Sequence, residues 1–498
     1  MTCYLGVDIG TTNIKALAFD PDNSRIVAHA TTPLTTLFPA PGHCEQDPDE
    51  IWVAFTRVID EVCHEVQMQQ GRIEAVCFSS AMHSTMAVDS QGLPLNQFVI
   101  WSDNRAEEQV TALRQHPEQL RDLYQHTGIP AHPMTPFCKL LWFREHQPDL
   151  LRKAHRWISL KEFIWYRLTG RFEIDYSIAT ATGLFDGNGL TWYGPALELA
   201  GLRSDQLSGP VPTTHSVTYK SASAPFSTAL PDGVRLIAGA SDGCLANLGA
   251  GAMQPGITTI TIGTSGAIRQ TVHQPLRDDE QRLFCYILDV DSPSEETRST
   301  PCYIVGGPTN NGANVLQWLS EKLTRQDVTS VLADASHVPP GSAGLLFLPY
   351  LQGERAPLWN AHARGAYLHV GWEHSRAHFV RAALEGVLFN LYAIEELLDR
   401  HTGDTTIIHA NGGFAQSTLW VQMMADIFGV PVRLNDSNES GSMGAILLAL
   451  KATGRVSSLE EATRYVGFGP TFEPDAGRHA VYRETYERFR KAMQNLRQ

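Results

Sequence analysis

The sequence predicts an α/β protein made of two duplicated halves, and three observations carry that prediction. The first is a repeat. Tyr4-Leu5-Gly6-Val7-Asp8-Ile9-Gly10-Thr11-Thr12-Asn13-Ile14-Lys15-Ala16-Leu17-Ala18-Phe19-Asp20 reads as two β-runs, 4–9 and 14–19, joined by a tight Gly-Thr-Thr-Asn turn. The stretch from Thr258 to Arg269 reproduces it. Ile262-Gly263-Thr264-Ser265 stands where Ile9-Gly10-Thr11-Thr12 stands, 253 positions later and so about half of the 498-residue chain away. The second observation is the succession of elements after each hairpin. In the first half a helix near 48–69 precedes a buried strand, Ala75–Ser80, a turn and Thr85–Asp89. In the second half Ala377–Asp399 places Phe379, Ala383, Leu384, Val387, Leu388, Leu391, Ile394 and Leu398 at helical spacing for a buried stripe. The third is a strand, Thr405–Ala410, a glycine turn, Asn411-Gly412-Gly413, and a helix from about Gln416 to Phe428. That succession lets a phosphate-bearing ligand approach backbone amides.

The junction between halves falls in 245–256, where Gly249, Gly251, Pro255 and Gly256 cluster, giving units 1–248 and 249–498. The polar stretch 272–300, with Asp278-Asp279-Glu280 and Ser292-Pro293-Ser294-Glu295-Glu296, reads as exposed loop or edge structure. Composition narrows the classes further. With 43% hydrophobic and 18% charged residues the chain is not disordered. At a formal charge of −14 and without a Lys/Arg run it lacks the basic stripe that nucleic-acid binding needs. No apolar run approaches the ~20 residues of a membrane span, and Met1–Asp8 has no basic region of a secretory signal. Eight scattered cysteines without a Cys-x-x-Cys pair read as reduced thiols of a cytoplasmic protein.

A hairpin tip of glycine and hydroxyl residues gathers several N–H groups into one anion-binding concavity. Asp8 stands beside the first tip, where a carboxylate can hold Mg²⁺ or its waters against phosphate oxygens. An ordinary hairpin would look the same, but the copy at Gly263-Thr264-Ser265 favours two phosphate loops facing one cleft. Other signatures are missing: there is no Gly-Lys dipeptide, no Gly-x-Gly-x-x-Gly, no His-Glu-x-x-His and no Gly-x-Ser-x-Gly.

Two such hairpins half a chain apart resemble the actin/hexokinase/Hsp70 type of ATP-binding fold. More closely, the chain resembles the FGGY family of carbohydrate kinases. Met134-Thr135-Pro136-Phe137-Cys138-Lys139-Leu140-Leu141-Trp142-Phe143-Arg144-Glu145 matches that family's first signature. His378-Phe379-Val380-Arg381-Ala382-Ala383-Leu384-Glu385 matches the second part of its later one, from which Gly365–Gly371 departs. Segments from Gly6 to about Ala449 follow the family's order. Among members the chain is most similar to the gluconate kinases, through Ser80–Ser84, Trp101–Ala106, Thr127–Met134 and Asp175–Leu184. The resemblance implies two duplicated actin/hexokinase-like (ribonuclease H-like) ATPase domains with a cleft between them, and a Mg²⁺·ATP-dependent kinase converting D-gluconate to 6-phosphogluconate. A ketopentose or other polyol is the alternative acceptor, and a non-catalytic ATP-binding sensor the rival from another class.

Roles carry over position by position. Asp242, in Gly239-Ala240-Ser241-Asp242-Gly243-Cys244, matches the family's catalytic aspartate; Asp-Gly can also be a plain turn. Asp8 is the metal-side carboxylate. Thr11, Thr12 and Lys15 belong to the first phosphate loop, and Gly263, Thr264 and Ser265 to the second, although Lys15 could equally be solvated. For adenine and ribose the resemblance points to Gly312, Asn314, Gly412, Gly413 and Gln416, where the glycines could equally be turn formers. The acceptor side is assigned His83, Trp101, Asp103, Arg105, Met134 and Lys139, with His132 in the same segment. A core Trp beside an Asp–Arg surface pair is the other reading of 101–105. An anionic acceptor and ATP must meet in an acidic protein, so Arg105, Lys139 and His83 are the expected cations for the substrate carboxylate. Partners are small molecules, with no nucleic acid and no membrane, and a homodimer stays open.

Overall fold

The computed structural model describes residues 1–226, 228–291, 300–436 and 439–495. The first half is built on a six-stranded sheet. β1 (Thr2–Ile9) and β2 (Asn13–Asp20) form the expected hairpin, and β3 (Arg25–Pro33) continues it antiparallel. α1 (Pro48–Met68) starts where Asp47 accepts from the Asp49 and Glu50 amides, with Pro48 at the first helical position. Its buried stripe, Ile51, Phe55, Val58, Ile59, Val62 and Val66, lies on the sheet. β4 (Arg72–Ser80) then runs parallel to β1.

An insertion comes next that contains α2 (Pro136–His146) and α3 (Tyr176–Ala181) and has a core of its own around Val110, Phe137, Leu140, Phe143 and Trp157. β5 (Ser216–Thr218) and β6 (Arg235–Ser241) complete the sheet in the order β5-β6-β4-β1-β2-β3. α4 (Asp242–Gly249) leaves the end of β6.

The second half repeats the plan. β7 (Ile257–Ile262) and β8 (Gly266–Val272) are the second hairpin, followed by β9 (Phe284–Asp289) and β10 (Cys302–Thr309). α5 (Arg376–Thr402) crosses to β11 (Ile407–Asn411), α6 (Thr418–Phe428) to β12 (Val432–Asn435), and α7 (Ser440–Ala452), β13 (Phe468–Phe472) and α8 (Ala476–Gln494) finish the chain. The sheet order is β9-β10-β8-β7-β11-β12-β13. Without β9, strand order and direction match the first sheet throughout: three antiparallel strands, two joined parallel, one antiparallel at the far edge.

The reading of 272–300 as exposed is corrected in part. β9 is an edge strand, but all six of its residues are buried, because α3 and α4 cover it. Asp278 is buried too and holds Arg282 at 2.6 Å. Ser292–Glu296 lies outside the described residues. All eight cysteines are free thiols. Among the described residues no helix is long and apolar enough to cross a membrane.

The halves meet through α4 and α7. α7 comes from the second half of the sequence yet packs on β1 and β4 of the first sheet as well as on α4. The contact is backbone to backbone. A Cβ at Gly249 would lie 1.9 Å from the Ser440 carbonyl oxygen, and one at Gly444 would lie 1.9 Å from that of Leu245. Around this seam Leu245, Leu248, Leu447 and Leu448 are fully buried in a cluster that also holds Leu17, Phe284 and Tyr286. Each such leucine contributes about 1.5–3 kcal/mol relative to exposure.

Gly444→Ala forces α7 off α4 and is expected to cost about 1–3 kcal/mol, as overpacking does. Gly194→Ala, where nothing lies within 4 Å of the added methyl, is the control. Urea unfolding midpoints of the two variants compare the effects, and equal midpoints would show that the helices have room to spare.

Candidate active site

One cleft of about 340 Å³ lies between the halves. Thr11 and Thr12 enter it from the tip of the first hairpin and Gly263, Thr264 and Ser265 from the tip of the second, with His83, Trp101 and Asp242 between them. Eight residues assigned from the sequence therefore share one wall-to-wall space, though they are spread over 255 positions of the chain.

Asp242 is held there by its strand end. Ser241 caps α4, accepting from the Cys244 amide at 3.4 Å, and its own amide donates to Ser177 Oγ at 3.1 Å. Beneath, Lys161 forms a 2.6 Å ion pair with Asp175 and donates to the Ala240 carbonyl at 3.0 Å. The Asp242 carboxylate accepts from the Gly243 amide at 2.7 Å. Burial first, and then the charge of Asp8, push its pKa up to about 6, while Arg269 pulls it back. Asp8 accepts from Ser79 Oγ at 2.7 Å, and burial raises it as well.

Asp8, close enough to raise the pKa of Asp242, and Asp242 itself are hard oxygen donors of the kind Mg²⁺ takes. No group of three or more His, Cys, Asp or Glu side chains suited to a metal occurs among the described residues. The donor set therefore fits an ion that shares its coordination with phosphates and water, not an all-protein cage.

Four sequence assignments on the acceptor side are corrected. Arg105 does not face the cleft. Its Nε and Nη2 donate to both oxygens of buried Asp103 at 2.9 Å, Nη2 reaches Glu45 at 2.6 Å, and the guanidinium stacks 5.0 Å from the Trp142 ring. Burial opposes its charge, but Asp103 and Glu45 outweigh burial and raise its pKa. Asp103 in turn accepts from the Cys44 amide at 2.6 Å, so the pair braces a loop instead of gripping a ligand. Lys139 is fully buried and spends its ammonium on the carbonyls of His83, Val99 and Ile100, with burial lowering it to about 7. Met134 is packed in the core of the second half.

His83 does line the cleft, held at a φ of 66°, but it is no cation. Burial and then Lys139 lower it to about 3. Its Nδ1 donates to the Ala181 carbonyl at 2.8 Å, which leaves Nε2 facing the Tyr286 hydroxyl at 3.3 Å. His132, buried beneath the Trp359 ring, is neutral for the same reason of burial.

Trp101 donates from Nε1 to Thr11 Oγ1 at 3.1 Å, tying the acceptor wall to the first hairpin. Lys15 turns away to Glu439 at 2.9 Å. Gly312 and Asn314 brace the second hairpin: the Asn314 side chain accepts from the Gly312 amide at 2.8 Å, and the Ala313 amide donates to the Gly263 carbonyl at 2.8 Å. Gly412 sits at φ 105° with room only for hydrogen, since a Cβ would fall 2.4 Å from the Ile262 carbonyl oxygen. Gly413 and Gln416 are exposed on the short 3₁₀ turn after it.

The structure adds residues that had not been assigned: Met82, Arg269, Tyr286 and Arg355. Arg269 was visible as the basic residue of the second hairpin. Arg355 had no local signal, because its loop reaches the cleft only through Glu354, which is buried under donors from Thr309, Asn310, Asn311 and Asn390.

The family model described as the FGGY family of carbohydrate kinases, N-terminal domain, matches residues 3–249, and that of the C-terminal domain matches 259–453. The gluconokinase of Bacillus subtilis (strain 168) is 39% identical over 485 residues, 94% of this chain and 91% of that protein. A gluconate kinase structure from Lactobacillus acidophilus superposes with a TM-score of 0.92 at 31% identity, covering 100% of this chain and 98% of that one. A ligand-bound xylulose kinase structure from the same organism gives the same values, 0.92, 31%, 100% and 98%.

Arg105→Ala leaves the buried Asp103 carboxylate uncompensated and is expected to cost about 3–5 kcal/mol of stability. A fall in the urea midpoint with acceptor KM unchanged below the unfolding range is the expected pair of results; a raised KM in a protein of normal stability would return Arg105 to the substrate.

Proposed function

The chain belongs to the FGGY family of carbohydrate kinases, and from that premise we propose that it transfers the γ-phosphoryl group of ATP to the terminal hydroxyl of a sugar acid, D-gluconate. The observation that carries this reading is the sharing of one cleft by both hairpin tips, a carboxylate poised near neutrality and two guanidiniums, Arg269 and Arg355, that are in no ion pair among the described residues. Such unpaired cations suit an acceptor that is itself an anion. The similarity to gluconokinases supports the choice, and the equal likeness to a xylulose kinase keeps a ketopentose as the second reading.

In this reading the acceptor lies on the first half and the nucleotide on the second. The amides of Thr11–Thr12 and Thr264–Ser265 take the phosphates from opposite sides, while the Gly263 amide closes its own turn on the Ser265 carbonyl at 2.9 Å. Asp242 accepts the proton of the attacking hydroxyl, and its pKa of about 6 keeps it ionised at neutral pH yet basic enough to receive that proton. Mg²⁺, held by Asp8 with Asp242 nearby, would neutralise charge on the phosphates. His83 stays neutral and its Nε2 accepts from the Tyr286 hydroxyl, whose oxygen is left to accept from a substrate hydroxyl. Trp101 supplies an apolar wall for the C–H face of the chain. Closing the halves on the α4–α7 seam would exclude water, the competing acceptor.

A coupled assay with gluconate, xylulose, ribulose, glycerol and glucose tests the reading. Gluconate is expected to have the highest kcat/KM, and a ketopentose in first place would replace it. Asp242→Asn is expected to lower kcat by about 10²–10⁴-fold. In the wild type, kcat/KM for the acceptor should fall as pH drops through about 6, because the base is then protonated; a profile flat from pH 5 to 8 would remove Asp242 from that role.

A further inference from the structure

Each hairpin carries one basic residue on its second strand, at a different depth. Lys15 on β2 stands opposite Asp8 and is neutralised by Glu439 at 2.9 Å. Arg269 on β8 stands two positions further from its tip, opposite Thr259, and is in no ion pair among the described residues. Among the described residues its side chain makes one hydrogen bond, from Nη1 to Thr261 Oγ1 at 3.4 Å, and its Nε is buried without an acceptor. A buried donor left open is costly, the more so when it is charged, so a bound anion would complete this arrangement.

Geometry decides which anion. Thr259 lies across from Arg269 and Thr261 across from Ala267, so Thr261, Ala267 and Arg269 share the face of the hairpin that lines the cleft. At ~3.3 Å per residue Arg269 stands roughly 10 Å down the strand from Gly266 and the phosphate-binding tip. It lies instead at the depth of Asp242. Gly243 permits this: a Cβ there would be 3.2 Å from Nε and 3.5 Å from Nη2 of Arg269. The guanidinium thus rests against the first turn of α4, one residue from the base. Arg355 Nε is likewise buried without an acceptor, but its fork is already half engaged, with Nη2 donating to the Thr309 carbonyl at 2.9 Å and the guanidinium 5.2 Å over the Trp101 ring. The free fork, suited to bidentate contact with a carboxylate, is that of Arg269.

We propose that Arg269 binds the carboxylate of the acceptor and selects sugar acids over neutral sugars of the same size. The inference rests on the sugar-acid kinase reading above. It makes the acceptor's two ends the specificity ruler of the cleft: a hydroxyl at Asp242 and a carboxylate at Arg269.

The test compares gluconate with gluconamide, its neutral isostere, in the wild type, Arg269→Gln and Arg269→Lys, with KM for ATP and acceptor-independent ATP hydrolysis measured alongside. The wild type is expected to prefer gluconate by about 10- to 100-fold in kcat/KM, the worth of a charge-assisted contact. Arg269→Gln should bring that preference to below about 3-fold while KM for ATP moves less than about 2-fold, and Arg269→Lys should recover part of it. A preference that survives in Arg269→Gln overturns the proposal, as does a raised KM for ATP with gluconate discrimination intact, which would assign Arg269 to phosphate. If Arg269→Gln does not fold, an undiminished preference in Arg269→Lys overturns it as well. A wild type that phosphorylates xylulose and no sugar acid overturns the sugar-acid reading itself, an outcome distinct from the others.

Discussion

The structure depends on one close approach: the backbones of α4 and α7 in contact at Gly249 and Gly444. Each helix belongs to a different half of the sequence, and each begins beside the cleft. α4 starts with Asp242, and α7 starts next to Asp8, whose carboxylate oxygen lies 2.9 Å from where a Cβ on Gly441 would be. Bringing the helices together therefore brings the two carboxylates together. Side chains on either helix at the crossing would hold the sheets apart and leave the hairpin tips on separate surfaces. The apolar cluster around Leu245, Leu248 and Leu447 contributes the free energy that holds this crossing, while the glycines set its distance.

That crossing also explains how an acidic chain manages its charges. The formal charge is −14, yet the cleft is lined by Arg269 and Arg355 and by amide-rich turns. Carboxylates near it are either paired, as Asp175 with Lys161, or raised by burial, as Asp8 and Asp242. The two histidines of the acceptor side are neutral because burial penalises their charge. Positive charge is thus concentrated on guanidiniums, which keep their proton even when desolvated. Low dielectric around them strengthens attraction to a bound anion and equally makes their unpaired state costly.

Most of the fold was legible in the chain. The hairpin copy from Ile9–Thr12 to Ile262–Ser265, the stripe of α5 and the glycine turn at Gly412 each arise from local periodicity, and each element lies within a few residues of its expected place. β9 is the edge structure expected in 272–300, but its exposure was misread because a polar stretch looks like surface; the strand is covered by α3 and α4, which come from the other half. Part of the cleft was legible too. Thr11, Gly263 and Asp242 are short-range features, a turn, a turn and a strand end, whose placement the local chain dictates. Arg105 and Lys139 were misassigned because a long cationic side chain has reach, and its direction is set by distant partners: Asp103 and Glu45 for one, three loop carbonyls for the other.

The sequence by itself determined the duplicated α/β plan, the two glycine–hydroxyl tips and the carboxylate at the end of β6. These depend on backbone propensity and hydrophobic period, which are read within a dozen residues. Only the tertiary structure decided which cations the cleft holds. Lys15 and Arg269 are each the basic residue on the second strand of their hairpin, Arg269 two positions further from its tip, and neither position by itself says whether the charge is paired. Glu439 lies 424 positions from Lys15 and neutralises it, whereas Gly243 opens space for Arg269 beside Asp242. Charge pairing is a matter of distance in space, and the contact between the halves sets those distances.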